Sequence, residues 1–442
     1  MSFSEAPYVA AVASVLSEEK RQQLAAKKYS DLTDGAGHQY VDLVQEGGVM
    51  LGIALVGYTY VLEECGIRFW SLGGASAGAI NALMLAAFRR PGESTSAKLI
   101  KVLAEMRPKR FVDGGEHVAR VIQAALQGTL GGKVYWEDVI NHNLIDIIKD
   151  AKEEGIVALL NEDFEQAWKH FGLNPGEEFL KWATQVLESA GIRSWSGLEA
   201  DLGKLPEGLK IREKPANPPA PSLGLVVGDI TTESRIEFPR MAALFWEKPG
   251  EVNPAKFVRA SMSVPGFFYP YIIDGLPKNQ EANWKEWTGY GEARPGEDAP
   301  IFPTRALLVD GGLVSNFPID IFHVEGKVPD WPTFGAKLSS SRIRPNETRT
   351  MPNFVAHNVD TARHLMDYTF LHKHPEFQYL VGHIRTGDFQ AFDFEMPEAS
   401  RVELFRLGAK AAVDFLEGFQ WGEYQKLRAR LAALPEPAIS AP

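Results

Sequence analysis

Two rhythms of apolar and polar residues alternate along the first part of the chain. The segment YVDLVQEG (Tyr40 to Gly47) is short and rich in β-branched residues, which predicts a strand. The following GIALVGYTYVLEEC carries apolar residues at helical spacing until Gly66 stops it. IRFWSLGG then predicts a second strand. AGAINALMLAAFRR predicts a second helix, whose closing arginines suit the negative end of a helix dipole. Strand, helix, strand, helix in succession means parallel strands joined by crossovers. The fold class read from the pattern is therefore α/β, a sheet covered by helices on both faces.

From Lys109 to Pro221 the pattern turns helical, which predicts an inserted helical cap over 109–221 that ends in the proline-rich linker EKPANPPAPS (Glu213 to Ser222). Strand patterns resume at LGLVVGDI (Leu223 to Ile230), RALLVDGG (Arg305 to Gly312) and TFGAKLS (Thr333 to Ser339). Pro277 to Pro300 is too long and polar for a plain connection and reads as a lid or a disordered excursion. Glu398 to Phe419 predicts an amphipathic helix packed on the sheet, and Tyr8 to Lys28 a single charged, alanine-rich helix. No internal repeat is visible. The expected organisation is an N-terminal helical extension over 1–39, one α/β unit over 40–419, and a C-terminal tail over 420–442.

Composition narrows the function. The chain has 442 residues, 45% hydrophobic and 23% charged, as in ordinary globular proteins. A formal net charge of -11 with no basic cluster argues against a nucleic-acid partner. The single cysteine, Cys65, excludes an intrachain disulfide and a cysteine-rich metal site. It fits a reducing, cytoplasmic location and reads as a small buried hydrophobe. Met1 to Glu5 lacks the cationic start of a secretory signal. The longest uncharged run, Gly47 to Leu62, falls short of the roughly 18 to 20 residues that span a bilayer, so any membrane contact is expected to be peripheral.

The candidate chemistry sits between the second strand and the second helix. In Gly74-Ala75-Ser76-Ala77-Gly78 a serine occupies a predicted strand-to-helix turn with glycines two before and two after it, which is what a strained nucleophile turn requires. The helix behind it aims its positive end at the serine, favouring an oxyanion there. A close-packing patch of small residues would look the same, but strand and helix are the context the motif needs. None of the ten histidines stands in a loop directly after a late strand; the nearest, His383, lies inside the apolar YLVGHIRTG. Asp310 ends a predicted strand with Gly311 and Gly312 behind it. Alone it reads as a turn former, and beside Ser76 as a base.

At these residues the chain resembles the patatin-like phospholipase family, whose serine lies in G-x-S-x-G and whose aspartate lies in D-G-G or D-G-A. FVRASMSVPGFFYPY (Phe257 to Tyr271), DGGLVSNFPID and RTGDFQAFDF also resemble its bacterial members, so the likeness runs from Tyr40 to Phe419. The resemblance implies a three-layer α/β/α fold with a mostly parallel central sheet and a helical insertion. It implies a Ser76–Asp310 dyad that cleaves lipid carboxylic esters through an acyl-enzyme, a lipid or ester partner, and no cofactor or metal. A carboxylesterase or acyltransferase on soluble esters, and a weakly active or inactive lipid-binding homologue, are the alternatives. The oligomeric state is not readable.

One motif departs from the family. The oxyanion loop, expected to be three glycines, a variable residue, a basic residue and a glycine, reads Gly47-Gly48-Val49-Met50-Leu51-Gly52. Its backbone N–H groups, with that of Ala77 behind the serine, would hold the oxyanion. Valine is expected to keep the backbone extended where glycine would also reach positive φ, misdirecting a donor and slowing hydrolysis. VPGFFYPYII with Trp284 and Trp287 reads as an apolar channel, an interfacial edge or plain core.

Overall fold

The computed structural model describes residues 5–114, 169–293, 296–339, 361 and 370–433. Among them, eleven strands form one mixed sheet. Eight carry the architecture: β1 (Gln39–Gln45), β2 (Ile67–Ala75), β3 (Leu223–Asp229), β4 (Ser234–Phe238), β5 (Tyr271–Asp274), β6 (Arg305–Asp310), β7 (Thr333–Ser339) and β8 (Val381–Arg385). The pairings β3–β2, β2–β1, β1–β7 and β7–β8 are all parallel. β4 and β6 pair antiparallel with β3, and β5 antiparallel with β6. Every residue of β3 is buried, the near-continuous apolar run expected of a strand covered on both faces.

Helices supply the cover. Ala77–Phe88 packs on β1, β2 and β3, while on the other face of β2 the side chains of Ile321 and Phe322 stand over Gly73. Ile53–Glu64 crosses Glu398–Gly418 so closely that backbone meets backbone at Ala54, Gly57, Phe405 and Gly408. Cys65 is buried at the end of the first of these, and burial pushes its thiol up to about 12, an inert hydrophobe.

The expected strands fall within two residues of their sequence positions. Three other expectations change. Tyr8 to Lys28 is two helices, Ala6–Ala13 and Glu18–Ala25, because Ser17 caps the second, its hydroxyl accepting from the Lys20 amide at 3.2 Å. Pro277 to Pro300 contains the helix Glu281–Thr288, whose Trp284 is buried against Phe245 and Tyr290. In the stretch expected as a tail, Trp421–Ala432 is a helix docked through Trp421 Nε1, which donates to Asp31 at 3.0 Å.

Of the expected cap, 115–168 lies outside the described residues. Its remainder is tied to the sheet domain: Gly172–Asn174 pairs with Gly266–Phe268, and Glu177–Ser189 packs beside Ala255–Ser261. The end of the insert also adds two two-residue strands, Lys210–Ile211 and Lys214–Pro215, to the sheet edge. No described helix is long and apolar enough to cross a membrane.

Candidate active site

Ser76 is the single residue between the end of β2 and the start of Ala77–Phe88. It holds φ 49 and ψ -120, outside the regions that L-residues ordinarily occupy. Such backbone costs on the order of 1–3 kcal/mol and persists only where its surroundings fix it. Here the fixing group is Ser261. Its hydroxyl accepts from the Ser76 amide at 2.9 Å and donates to the Val226 carbonyl at 2.7 Å, tying the turn to β3. Gly74 and Gly78 lie against each other and the Gln45 carbonyl, with no room for a Cβ at either.

The position of Asp310 is set by strand pairing. β4 occupies one side of β3 along residues 225–229, leaving the other side to two strands in tandem. β2 takes the first half of that side and ends with Ala75 opposite Val226. β6 arrives from the opposite direction and ends with Asp310 opposite Val227. The two strands meet end to end at adjacent residues of β3, so the residue after β2, Ser76, and the last residue of β6, Asp310, share one place in the fold. Asp310 is buried and its carboxylate accepts from the Gly312 amide at 2.7 Å. A side chain at Gly311 would begin 2.0 Å from the Val226 carbonyl, so only glycine lets the chain turn away here.

Sequence reasoning gives no role to Arg259, Ser261, Ser263 or Asn316, although the first three stand in the RASMS segment. The Ser263 carbonyl accepts from the Asp310 amide at 2.9 Å. Its hydroxyl accepts from Arg259, whose guanidinium also binds the carbonyls of Pro175 and Tyr269. Burial pulls the Arg259 pKa down to about 10, against the opposing pull of Asp113 and Glu177. Asn316 binds Gly47 twice: its carbonyl accepts from the Gly47 amide at 3.0 Å, and its side-chain amide donates to the Gly47 carbonyl at 3.3 Å. Only contacts between distant segments reveal these roles.

The glycine-rich loop runs beside the serine. Gly48 is extended, and Val49 opens a 3₁₀ turn through Gly52, closed by the Leu51 amide on the Gly48 carbonyl and anchored by the Met50 amide on the Ala391 carbonyl. Val49 stands at φ 49, contrary to the expectation of an extended valine. Turn and anchor impose the left-handed angle despite the β-branch. The amides of Gly48, Val49 and Ala77 have no acceptor among the described residues. Gly52 packs against Ala77.

Ser76 opens onto a cleft of about 860 Å³, solvent at its mouth included. Its walls come from the loop, Ala77–Phe88, Ser96–Glu105, Glu177–Ser189 and the segment around Phe268. Among the described residues the lining is apolar apart from Ser76 and Asn81, and four of its side chains are methionines, Met50, Met84, Met106 and Met262, which adapt to chains of varied shape. Of the expected channel segment, Val264 and Phe268 line the cleft. Trp284 does not; it packs in the core with Phe245. No described histidine lines the cleft, and His383 sits on β8, three strands from β2, on the order of 14 Å across the sheet.

A mixed sheet whose central strands are mostly parallel, packed with helices and carrying a serine on a strained strand-to-helix turn, defines the α/β class of this chain. Residues 43–323 match the family described as patatin-like phospholipase, and the chain belongs to it, a family of lipid acyl hydrolases. The uncharacterized protein YqhO of Bacillus subtilis (strain 168) is 26% identical over 387 residues, covering 86% of this chain and 99% of that protein. The crystal structure of VipD from Legionella pneumophila aligns at 16% identity and a TM-score of 0.36, over 88% of this chain and 70% of that one.

Proposed function

We propose that the chain hydrolyses carboxylic esters of lipids through a Ser76–Asp310 dyad. Ser76 Oγ attacks the ester carbonyl as its proton passes to Asp310, and the amides of Gly48, Val49 and Ala77 receive the oxyanion. Collapse breaks the ester bond, and the alcohol leaves with the proton from Asp310. Water, giving a proton to Asp310, then attacks the acyl-enzyme; collapse breaks the bond to Ser76 Oγ, which takes that proton back from Asp310 as the acid is freed. The acyl chain lies in the methionine-lined cleft. The observation that supports this reading is the end-to-end meeting of β2 and β6 at adjacent residues of β3, with Ser76 in the wall of an apolar cleft and Asp310 buried at the end of β6. The buried single thiol fits the expected cytoplasmic location, with membrane contact at the periphery.

A fluorophosphonate probe and mixed phospholipid vesicles test it. Labelling at Ser76 and release of free fatty acid are expected. Ser76→Ala and Asp310→Asn each lower turnover by at least about 1000-fold with unfolding unchanged, and the double variant resembles either single one, because the two groups act as one unit. Vigorous turnover of short soluble esters without attack on phospholipid would favour a carboxylesterase. An unlabelled serine would favour the inactive lipid-binding homologue. A His383 variant as inactive as Ser76→Ala would overturn the dyad.

A further inference from the structure

Away from the cleft, the loop after the turn Ile319–Phe322 and the stretch entering the turn Pro375–Tyr379 bring His323, Glu325 and His374 together. One donor atom from each lies within 4.8 Å of the others. Zinc bonds of about 2.0–2.2 Å put tetrahedral donors about 3.3–3.5 Å apart, so a small rotation of the exposed Glu325 closes the set. Nδ1 of His323 is buried with no hydrogen-bond partner among the described residues. Neutral imidazole with an unclaimed nitrogen is what a metal needs.

The surroundings hold the histidines in place. Phe370 packs on both rings at 5.6 and 4.4 Å, and Phe377 on His323 at 5.1 Å, with the two imidazoles 4.8 Å apart. The buried carboxylate of Glu376 stands 3.4 Å from Nδ1 of His374, the second-layer contact that orients a ligating histidine. Arg428 is the opposing charge, yet its guanidinium donates to the carbonyls of Val324 and Lys327 and so fixes the loop that carries Glu325. Two carboxylates against one guanidinium leave the locality favourable to a dication.

We propose that His323, Glu325 and His374 bind one divalent transition-metal cation of the zinc type, a water completing the tetrahedron, as a structural clamp. Two nitrogens and one carboxylate suit zinc, cobalt or nickel; calcium and magnesium require oxygen ligands. The family resemblance implies no metal, and His323 and His374 stand 51 positions apart in the chain. The ion would pin the far end of the segment that runs from Asp310 through Asn316, the partner of Gly47, to His323.

The test uses tag-free full-length protein stripped with a chelator, titrated with zinc and dialysed. One equivalent of zinc is expected to remain, with a Tm that rises with zinc concentration and a tetrahedral visible spectrum when cobalt replaces it. Glu325→Gln, at an exposed position that leaves the metal-free Tm unchanged, weakens binding at least about tenfold, and His374→Gln abolishes it. Retention of well under one equivalent by the wild type, or wild-type affinity in both variants, would overturn the proposal.

Discussion

Ser76 and Val49 carry side chains at φ 49 within one site, and each is held there by contacts from elsewhere in the chain. For Ser76 the strained angle belongs to the turn that seats the proposed nucleophile in the wall of the cleft. For Val49 it turns the backbone as the missing glycine would, at a cost of about 1–2 kcal/mol. Val49→Gly removes that cost and restores part of the unfolded chain's freedom, about 0.5–1 kcal/mol in the other direction. The variant is therefore expected to gain up to about 1 kcal/mol in urea unfolding. Its turnover on a chromogenic ester should stay within a few-fold of wild type, because Val49 already holds the left-handed angle that glycine would supply to the proposed donor. A gain of 100-fold or more, the size of a restored oxyanion donor, would mean that valine misdirects the amide after all.

The crossing of Ile53–Glu64 over Glu398–Gly418 governs the same loop from a distance, since the first helix begins where Gly52 ends. A Cβ on Gly408 would sit 1.7 Å from the Ala54 carbonyl, a clash with backbone that only separation of the helices relieves. Gly408→Ala is expected to lose about 1–3 kcal/mol in denaturant unfolding and, by shifting the start of Ile53–Glu64, to lower kcat more than it changes KM. An unchanged kcat in the destabilised variant would separate the crossing from the oxyanion loop. These two helices and five strands are legible locally, from period and from glycine stops. Ser76 is legible because a nucleophile turn needs small neighbours within the same stretch. Asp310 needs its pairing with Ser76, and the crossing, the Ser261 brace and the Arg259 anchor are not legible, because each joins segments remote in sequence. The break at Ser17 escapes a reading by period because a capping serine inside an alanine-rich run looks like an ordinary exposed helix position.

The molecule as a whole is acidic, with a formal net charge of -11, and its candidate site is an apolar cleft. A lipid surface of the same sign repels such a protein over about one Debye length, roughly 10 Å at 0.1 M salt. Hydrolysis of zwitterionic vesicles is therefore expected to exceed that of vesicles doped with anionic lipid at low ionic strength, and the gap to narrow as salt rises. Faster release from the anionic vesicles would point to a locally basic docking face. The end-to-end meeting of β2 and β6 also bears on biosynthesis. A chain emerging from the ribosome displays its serine early, but the carboxylate lies at residue 310, and the rail that aligns the two, β3, is made between them. Prematurely terminated chains and proteolytic fragments lacking β6 therefore carry the proposed nucleophile without its proposed base. A hydrolase of the proposed kind stays inert until most of its length has been synthesised and its two halves have met.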